Sequence, residues 1–326
     1  MTYMTQILLL FWIFSAACIV FCKKAYRVII YFGVFSLITS VVYLTLGAPD
    51  VAMSEAGISA FATIFFIVCI EKYYGRGDGL KSEESPARVS TRKPLKKIIP
   101  ALIFAIGLCA LFLYFVPTGY AFTDLRDQYL RLFMEDVGGE NAVTAIYLGY
   151  RVYDTLFEAL LLVISVVAVS HVSWFSSEQV PDGRHSEIEN SRMTKFTMRI
   201  ICPIILLFGA YLIMNGHISA GGGFLGGLAF ASFFICRFLV LGIYDLPIKK
   251  IIKMEELVFV NITILPILAI FTGVVYLVAD VALTPLVQDV YLIAMGALVG
   301  MKVACGFFIL FYRHIAIERL PDEDEV

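Results

Sequence analysis

Long apolar segments, each about the length of a membrane-crossing helix, recur along almost the whole chain. A helix must supply about 20 mostly apolar residues to cross a bilayer core of about 30 Å. Backbone groups in lipid have to bond to one another, so such segments become helices. The sequence therefore predicts an all-α, multi-pass membrane protein. Its nine predicted spans are residues 7–22, 28–47, 51–70, 98–116, 150–173, 196–215, 223–243, 257–279 and 290–312.

The loops between these spans alternate in positive charge. Loops 71–97 and 174–195 are rich in Lys and Arg, whereas loop 117–149 contains only Arg126 and Arg131. Loops that carry an excess of Lys and Arg stay in the cytoplasm. The alternation continues through all nine predicted spans, so we expect the N-terminus outside and the C-terminus in the cytoplasm.

Two polar segments divide the chain into three parts. Residues 76–97 and 176–195 are rich in Gly, Ser, Pro and charge, which is typical of flexible linkers. The parts that they separate contain three, two and four predicted spans. We therefore predict domains at residues 1–75, 98–175 and 196–326.

The second domain contains an amphipathic stretch at Asp124–Glu135. Within it Leu125, Tyr129, Leu132 and Phe133 follow the i, i+4, i+7, i+8 spacing of one helix face. This pattern predicts a helix that lies at the outer membrane surface or against another subunit.

The composition excludes several classes of function. The net charge of −2 argues against a nucleic-acid partner. The 7 cysteines lie in apolar segments without a CxxC pair or a neighbouring His, so no metal site or disulfide framework is predicted. The chain also lacks the HExxH, GxSxG and nucleotide-loop motifs. We assign it no catalytic centre and no cofactor.

Charged residues near predicted spans are the first candidates for function. A charge at the bilayer centre costs about 2.5–3.5 kcal/mol, so it needs a partner or a role. The acids are Asp50, Glu55, Asp154 and Glu158, and Arg151 precedes the last two on the same predicted span. They indicate a carboxylate cluster that binds or passes a cation or proton. The alternative is an ion pair of Arg151 with one carboxylate, beside solvated acids at the membrane surface.

Two further side chains are candidates by position. Lys302 falls near the middle of the ninth predicted span, so its ammonium must face the protein interior. It is either a proton-relay element or half of an ion pair with Glu158 or Glu55. His217 lies at the predicted outer interface. It either caps local backbone or acts as a proton-accessible group.

A glycine-rich stretch, Asn215–Gly227, joins the sixth and seventh predicted spans. Gly222 and Gly226, like Gly223 and Gly227, have the small-xxx-small spacing that lets helices approach closely. Helix packing is therefore predicted here. The exposed amides of the turn are an alternative means of binding an anion or lining a water cavity.

Three stretches resemble parts of one known system. Residues 47–56 resemble the signature of the small three-helix subunit of energy-converting membrane-bound hydrogenases, which recurs near the C-terminus of the large Mrp antiporter subunit. Residues 141–158 resemble the block that follows it. Residues 216–227, with 284–289, resemble the B-type subunit of Mrp sodium/proton antiporters.

This resemblance implies a fused membrane subunit of a module that moves Na⁺ or H⁺ beside other membrane subunits in a prokaryotic plasma membrane. The larger assembly would be an energy-converting respiratory complex such as a membrane-bound hydrogenase. A stand-alone Mrp antiporter and a structural scaffold without an ion path are the alternatives. The ion-path acids of the family correspond to Glu55 and Glu158, and its arginine corresponds to Arg151. Where the family has an Asp, this chain has Gly149, and the resemblance does not supply Lys302.

Overall fold

The computed structural model describes residues 3–22, 24–81, 103–104, 106–111, 114, 121–175, 192–241, 248–278 and 285–315. Within these residues the secondary structure is helical, without a β-strand, which confirms the predicted all-α class. The bounded helices are α1 (Tyr3–Phe21), α2 (Ala25–Thr45), α3 (Pro49–Lys81), α4 (Ala121–Asp136), α5 (Ala142–Ala145), α6 (Val152–Phe175), α7 (Arg192–Asn215), α8 (Gly223–Leu241), α9 (Ile248–Val278) and α10 (Pro285–Ile315). A π-helical turn, Ile146–Tyr150, joins α5 to α6.

Among the described helices, 8 are long and apolar enough to cross a membrane. They correspond to eight of the nine predicted spans. The remaining prediction, residues 98–116, falls largely outside the described residues. The chain is thus a multi-pass membrane protein, and its orientation in the membrane stays a prediction from the charges.

The chain divides into two compact units. One comprises Met1–Tyr73 and Phe133–Val326, and the other comprises Tyr74–Leu132. All the candidate site residues lie in the first unit. The amphipathic stretch does form a helix, α4, in which Phe133 is buried.

The helix α9 begins earlier than predicted. Its first residue is Ile248 rather than residue 257, because the lysines and acids of its first turns lower the local hydropathy without interrupting the helix. Long lysine side chains can extend from such a turn towards water while their stems stay in apolar surroundings. The extension places Glu255 inside a membrane-spanning helix.

Glycines hold α8 against two neighbours. A Cβ atom at Gly226 would lie 2.7 Å from the Gly209 carbonyl oxygen on α7. On the side facing α10, a Cβ atom at Gly223 or Gly227 would overlap a glycine carbonyl. The contacting pairs are Gly223 with Gly296 and Gly227 with Gly300. Small residues at such positions let backbones pack closely, which drives helix association in lipid.

Burial is uneven along the membrane-spanning helices. In α10, 67% of the apolar stretch is buried, against 6% to 11% in α1, α2 and α3. The first three helices reach the core at a few points, such as the edge-on contact of Phe61 with Phe307, whose ring centroids are 4.7 Å apart. The core that positions the site therefore lies mainly around α8 and α10.

Candidate functional site

Two polar regions carry the candidate residues. The first, which we term the turn junction, consists of Asp50, Asn141, Thr144 and the turn Asn215–Gly222. Asp50 lies in the first turn of α3, where a carboxylate is favoured by the helix dipole. Its Oδ1 accepts hydrogen bonds from Asn141 Nδ2 at 3.2 Å and from the Gly221 amide at 3.0 Å.

Asn141 uses both ends of its side chain in this junction. Its Oδ1 caps α5 by accepting from the amides of Val143 and Thr144. Besides Asp50, its Nδ2 donates to the carbonyls of Gly216 at 3.3 Å and Ser219 at 3.0 Å. The amide group thus lies among three oxygen atoms and ties α3 and α5 to the glycine-rich turn.

The backbone of the turn completes this network. Thr144 Oγ1 donates to the Gly216 carbonyl at 2.6 Å. The His217 carbonyl accepts from the amides of Glu140 at 2.8 Å and Asn141 at 2.9 Å. His217 Nδ1 is buried without a hydrogen-bond partner among the described residues. The backbone of His217, rather than its imidazole, therefore makes the observed local contacts.

Gly222 belongs to this turn. Its φ of 109° lies in the region that favours glycine, and a Cβ atom there would lie 2.5 Å from Tyr147 Oη. The packing of Gly222 against another helix stays a prediction. Burial raises the pKa of Tyr147, and the charges of Asp50 and Glu158 raise it further, against a hydrogen bond with Thr144. The Tyr147 phenol consequently stays protonated between the two acids.

Three of the other predicted charges, Glu55, Arg151 and Asp154, also have partners. Ser36 on α2 donates to Glu55, which is half-buried. Arg151 Nη2 lies 2.6 Å from Asp154 Oδ2, and both side chains are more than half exposed. Asp50 and Glu55 lie on α3 and Asp154 and Glu158 lie on α6, and Asp50, Glu55 and Asp154 each have a different polar partner.

The second polar region is a cavity of about 200 Å³. Glu158 and Lys302 are the charged side chains among its described lining residues, and Thr155 and Ser165 add hydroxyls. Glu158 is exposed in the isolated chain, so the cavity has a charged rim. Its remaining walls are alanine and larger apolar side chains, including Phe224, Ile262, Val299 and Phe307.

Lys302 forms its ion pair with Glu255 on α9 and not with Glu158 or Glu55, which corrects the predicted partners. Lys302 is 1% exposed and Glu255 is 4% exposed. Lys302 Nζ also lies 5.0 Å from the centre of the Phe259 ring. We term Lys302 and Glu255 the buried pair. Helices α9 and α10 pack side by side. An acid on the face of α9 that contacts α10 is therefore sufficient to pair with Lys302.

The sequence contains a signal that would have found Glu255. Glu255, Val258 and Ile262 follow i, i+3, i+7 spacing on α9, and all three are buried. Asn141 and Tyr147 lie in the stretch 141–158 that resembles the family, but no spacing pattern gives their partners, which come from distant helices and turns.

This arrangement suits ion handling better than covalent chemistry. A carboxylate at the rim of a cavity can bind a cation or a proton, and the nearby ammonium has a carboxylate of its own. In the part of the chain that the structure describes, no group of three or more His, Cys, Asp or Glu residues is placed to hold a metal ion.

Two protein families match separate regions of the chain. Residues 10–74 match the family described as the D subunit of MBH. Residues 193–317 match the domain related to the MnhB subunit of Na⁺/H⁺ antiporters.

A curated relative and two solved structures are similar over longer stretches. The A/B subunit of a probable K⁺/H⁺ antiporter from Rhizobium meliloti (strain 1021) is 23% identical over 257 residues, which are 71% of this chain and 26% of that protein. A chain of the Mrp complex from Dietzia sp. DQ12-45-1b has the same fold, with a TM-score of 0.63, 20% identity and coverage of 92% of this chain and 34% of that one. A chain of an archaeal membrane-bound sulfane sulfur reductase is 27% identical with a TM-score of 0.51, covering 66% of this chain and 96% of that one.

The fold and the two matched regions define a multi-pass prokaryotic membrane protein. The chain resembles a fusion of Mrp-type subunits, with the region that matches the MBH family ahead of the region that matches the MnhB-related domain. It spans about a quarter of the length of its antiporter relative.

Proposed function

We propose that this chain is a membrane subunit of an Mrp-like module that translocates Na⁺, H⁺ or both beside other membrane subunits. It operates within an energy-converting respiratory complex. Each of its three predicted blocks has the role of a separate small subunit. The blocks are residues 1–75, 98–175 and 196–326.

The observation that carries this proposal is the cavity at α6 and α10. Glu158 offers a carboxylate at its rim, and hydroxyls of Thr155 and Ser165 offer further oxygen ligands. Na⁺ is a hard cation that favours oxygen ligands of this kind, by analogy with Ca²⁺ and Mg²⁺. Intramembrane carboxylates are costly unless they serve such a path or are paired.

Glu55 extends the path on the side of α2. Its carboxylate accepts from Ser36 and is half-buried, so it has a polar partner but no cation of its own among the described residues. Tyr147, next to Gly222, links the turn junction to the neighbourhood of Glu158. The open rim of the cavity is completed by a neighbouring subunit.

The named relatives support two settings for such a subunit. The sulfane sulfur reductase is an archaeal respiratory membrane complex, and the chain matches nearly the full length of one of its subunits. The Rhizobium relative is named as part of a K⁺/H⁺ antiporter, which supports a stand-alone antiporter as the alternative. Co-purification distinguishes them, since the respiratory setting predicts redox subunits in the purified complex.

Transport by the assembled complex tests the ion path. Everted membrane vesicles are energised, and the collapse of the pH gradient on addition of Na⁺ or K⁺ is recorded for Glu158→Gln and Glu55→Gln. Glutamine keeps the size and hydrogen-bonding capacity of the side chain but removes its charge. We expect loss of cation-dependent transport with normal assembly.

Glu135→Gln is the matched control, because Glu135 is an exposed acid on α4 that does not line the cavity. It should transport normally. Normal transport in both Glu158→Gln and Glu55→Gln would remove the ion path from the proposal. That outcome favours a scaffold, a role consistent with the close glycine contacts of α8.

A further inference from the structure

Glu255 is the buried acid to which neither the motifs nor the proposed ion path gives a role. It lies within the membrane-spanning stretch of α9, on the same face as Val258 and Ile262. Its carboxylate accepts a hydrogen bond from Lys302 on α10. A charge so placed is expensive in lipid, so its presence calls for a reason.

Packing alone gives a weak reason for the buried pair. Replacing a buried ion pair by apolar residues of similar volume is often neutral or stabilising, whereas removing one partner is strongly destabilising. The surrounding side chains are already apolar, including Val258, Ile262 and Val299. Two aliphatic side chains would fill this space at least as well as Lys302 and Glu255 do.

The position of Lys302 supplies a better reason. Lys302 lines the cavity together with Glu158 of α6, while its ammonium pairs with Glu255 of α9. It is paired with Glu255 and lies close to the Phe259 ring, both on α9. These contacts hold the ammonium on the α9 side of the cavity, away from the carboxylate of α6.

Resting on the proposed ion path, we propose that Glu255 is a positioning residue that neutralises Lys302 and thereby keeps Glu158 free for the transported cation. With Glu255 in place, Lys302 contributes no net charge to the cavity, and Glu158 carries its uncompensated negative charge. The cavity then attracts a monovalent cation.

Without Glu255, the ammonium becomes a tethered competitor. Lysine is a flexible, strongly charged donor, and the nearest described carboxylate on the cavity wall is that of Glu158. An ion pair between Lys302 and Glu158 would neutralise the cation site from within. Removing the lysine as well should release Glu158 again.

The test measures transport kinetics in vesicles that contain the assembled complex. For Glu255→Gln we expect the cation KM to rise about tenfold or more, with a smaller change in the maximal rate, because a tethered ammonium competes for the site. The double variant Glu255→Gln with Lys302→Gln should return the KM to within about threefold of the parent value. Glu135→Gln serves again as the control with unchanged KM.

Two results would overturn the inference. One is an unchanged cation KM in an assembled Glu255→Gln complex. The other is a double variant whose KM is as high as that of the single variant, since Lys302 would then be needed for transport rather than restrained from it. If Glu255→Gln alone does not assemble, the KM of the double variant decides. A KM near the parent value supports a restrained Lys302, and a raised KM means that Lys302 is needed for transport.

The Glu158→Gln variant separates this inference from the proposed function. Full transport in Glu158→Gln contradicts the ion path itself, whatever Glu255 does. Loss of transport in Glu158→Gln together with a normal KM in Glu255→Gln leaves the ion path intact and rejects only the role of Glu255.

Discussion

The turn junction and the buried pair handle charge in opposite ways. At the turn junction, two neutral donors bind the single carboxylate of Asp50. They are the Asn141 side-chain amide and the Gly221 backbone amide. In the buried pair, a full positive charge meets a full negative charge with almost no access to solvent. The loss of a neutral donor removes hydrogen bonds, whereas the loss of one charge leaves the other uncompensated. The turn junction therefore suits the joining of helices, and the buried pair suits control of charge.

Breaking the buried pair from one side should give the largest effect on stability. Lys302→Met leaves Glu255 without its ammonium in the membrane-spanning core, at a cost of about 3–5 kcal/mol. Thermal unfolding of the purified complex should show a clearly lowered Tm. Adding Glu255→Gln should recover most of the loss, and equal Tm values for the single and double variants would contradict the charge-balance account.

Filling the glycine contacts should give the next largest effect. Gly227→Val places side-chain atoms against the backbone of Gly300, which cannot move aside without separating α8 from α10. Overpacking of this kind costs about 3 kcal/mol, and native gels should show loss of assembled complex.

The matched control is Gly273→Ala on α9, where a Cβ atom would meet nothing within 4 Å. It should assemble as the parent chain does. Assembly of Gly227→Val at parental levels would show that the close approach of α8 and α10 is not required.

The turn junction should respond more mildly. Asn141→Ala removes the cap of α5 and the donor to Asp50, Gly216 and Ser219, at a cost of about 2 kcal/mol. Asn141→Asp keeps the cap but places a second carboxylate beside Asp50 and two carbonyls, so it should lower the Tm further than alanine does. The reverse order would show that the cap, rather than the shared donor, dominates.

Asn261→Ala is the control for this pair of variants. Asn261 is an exposed asparagine whose amide bonds only within α9, to the Leu257 carbonyl. Its Tm should stay close to that of the parent chain.

The exposed ion pair of Arg151 and Asp154 should give the smallest effect. Asp154→Asn removes a contact between two side chains that are 61% and 54% exposed, and such pairs contribute about 1 kcal/mol or less. We expect nearly normal stability and transport. Loss of transport in Asp154→Asn would assign this pair to the ion path and so move the path towards the surface of α6.

The sequence predicted most of the fold because lipid leaves few options. Apolar length identified eight of the described helices, and charge in the loops gave an orientation that the structure does not test. The predicted start of α9 was wrong for the same reason. Lys253, Glu255 and Glu256 lower the hydropathy of its first turns, although the helix itself begins earlier.

Partners between helices were beyond the reach of the sequence. Spacing places Asp154 and Glu158 on one helix face and allows an ion pair with Arg151, but it does not reveal that Glu158 lines a cavity with residues of other helices. The partner of Lys302 depends on which helix packs beside this part of α10, and only the structure shows that it is α9. The candidate acids were therefore found from motifs, and their separate environments came only from the structure.

Carbodiimide protection shows whether Glu158 binds the transported cation. A hydrophobic carbodiimide modifies membrane carboxyl groups that are free to take up a proton, and mass spectrometry of the complex reports modification at each acid. We expect that Glu158 is modified and that added Na⁺ or K⁺ slows its modification. Glu255, in its ion pair, should stay unmodified. Modification of Glu158 at the same rate with and without the cations would contradict the account.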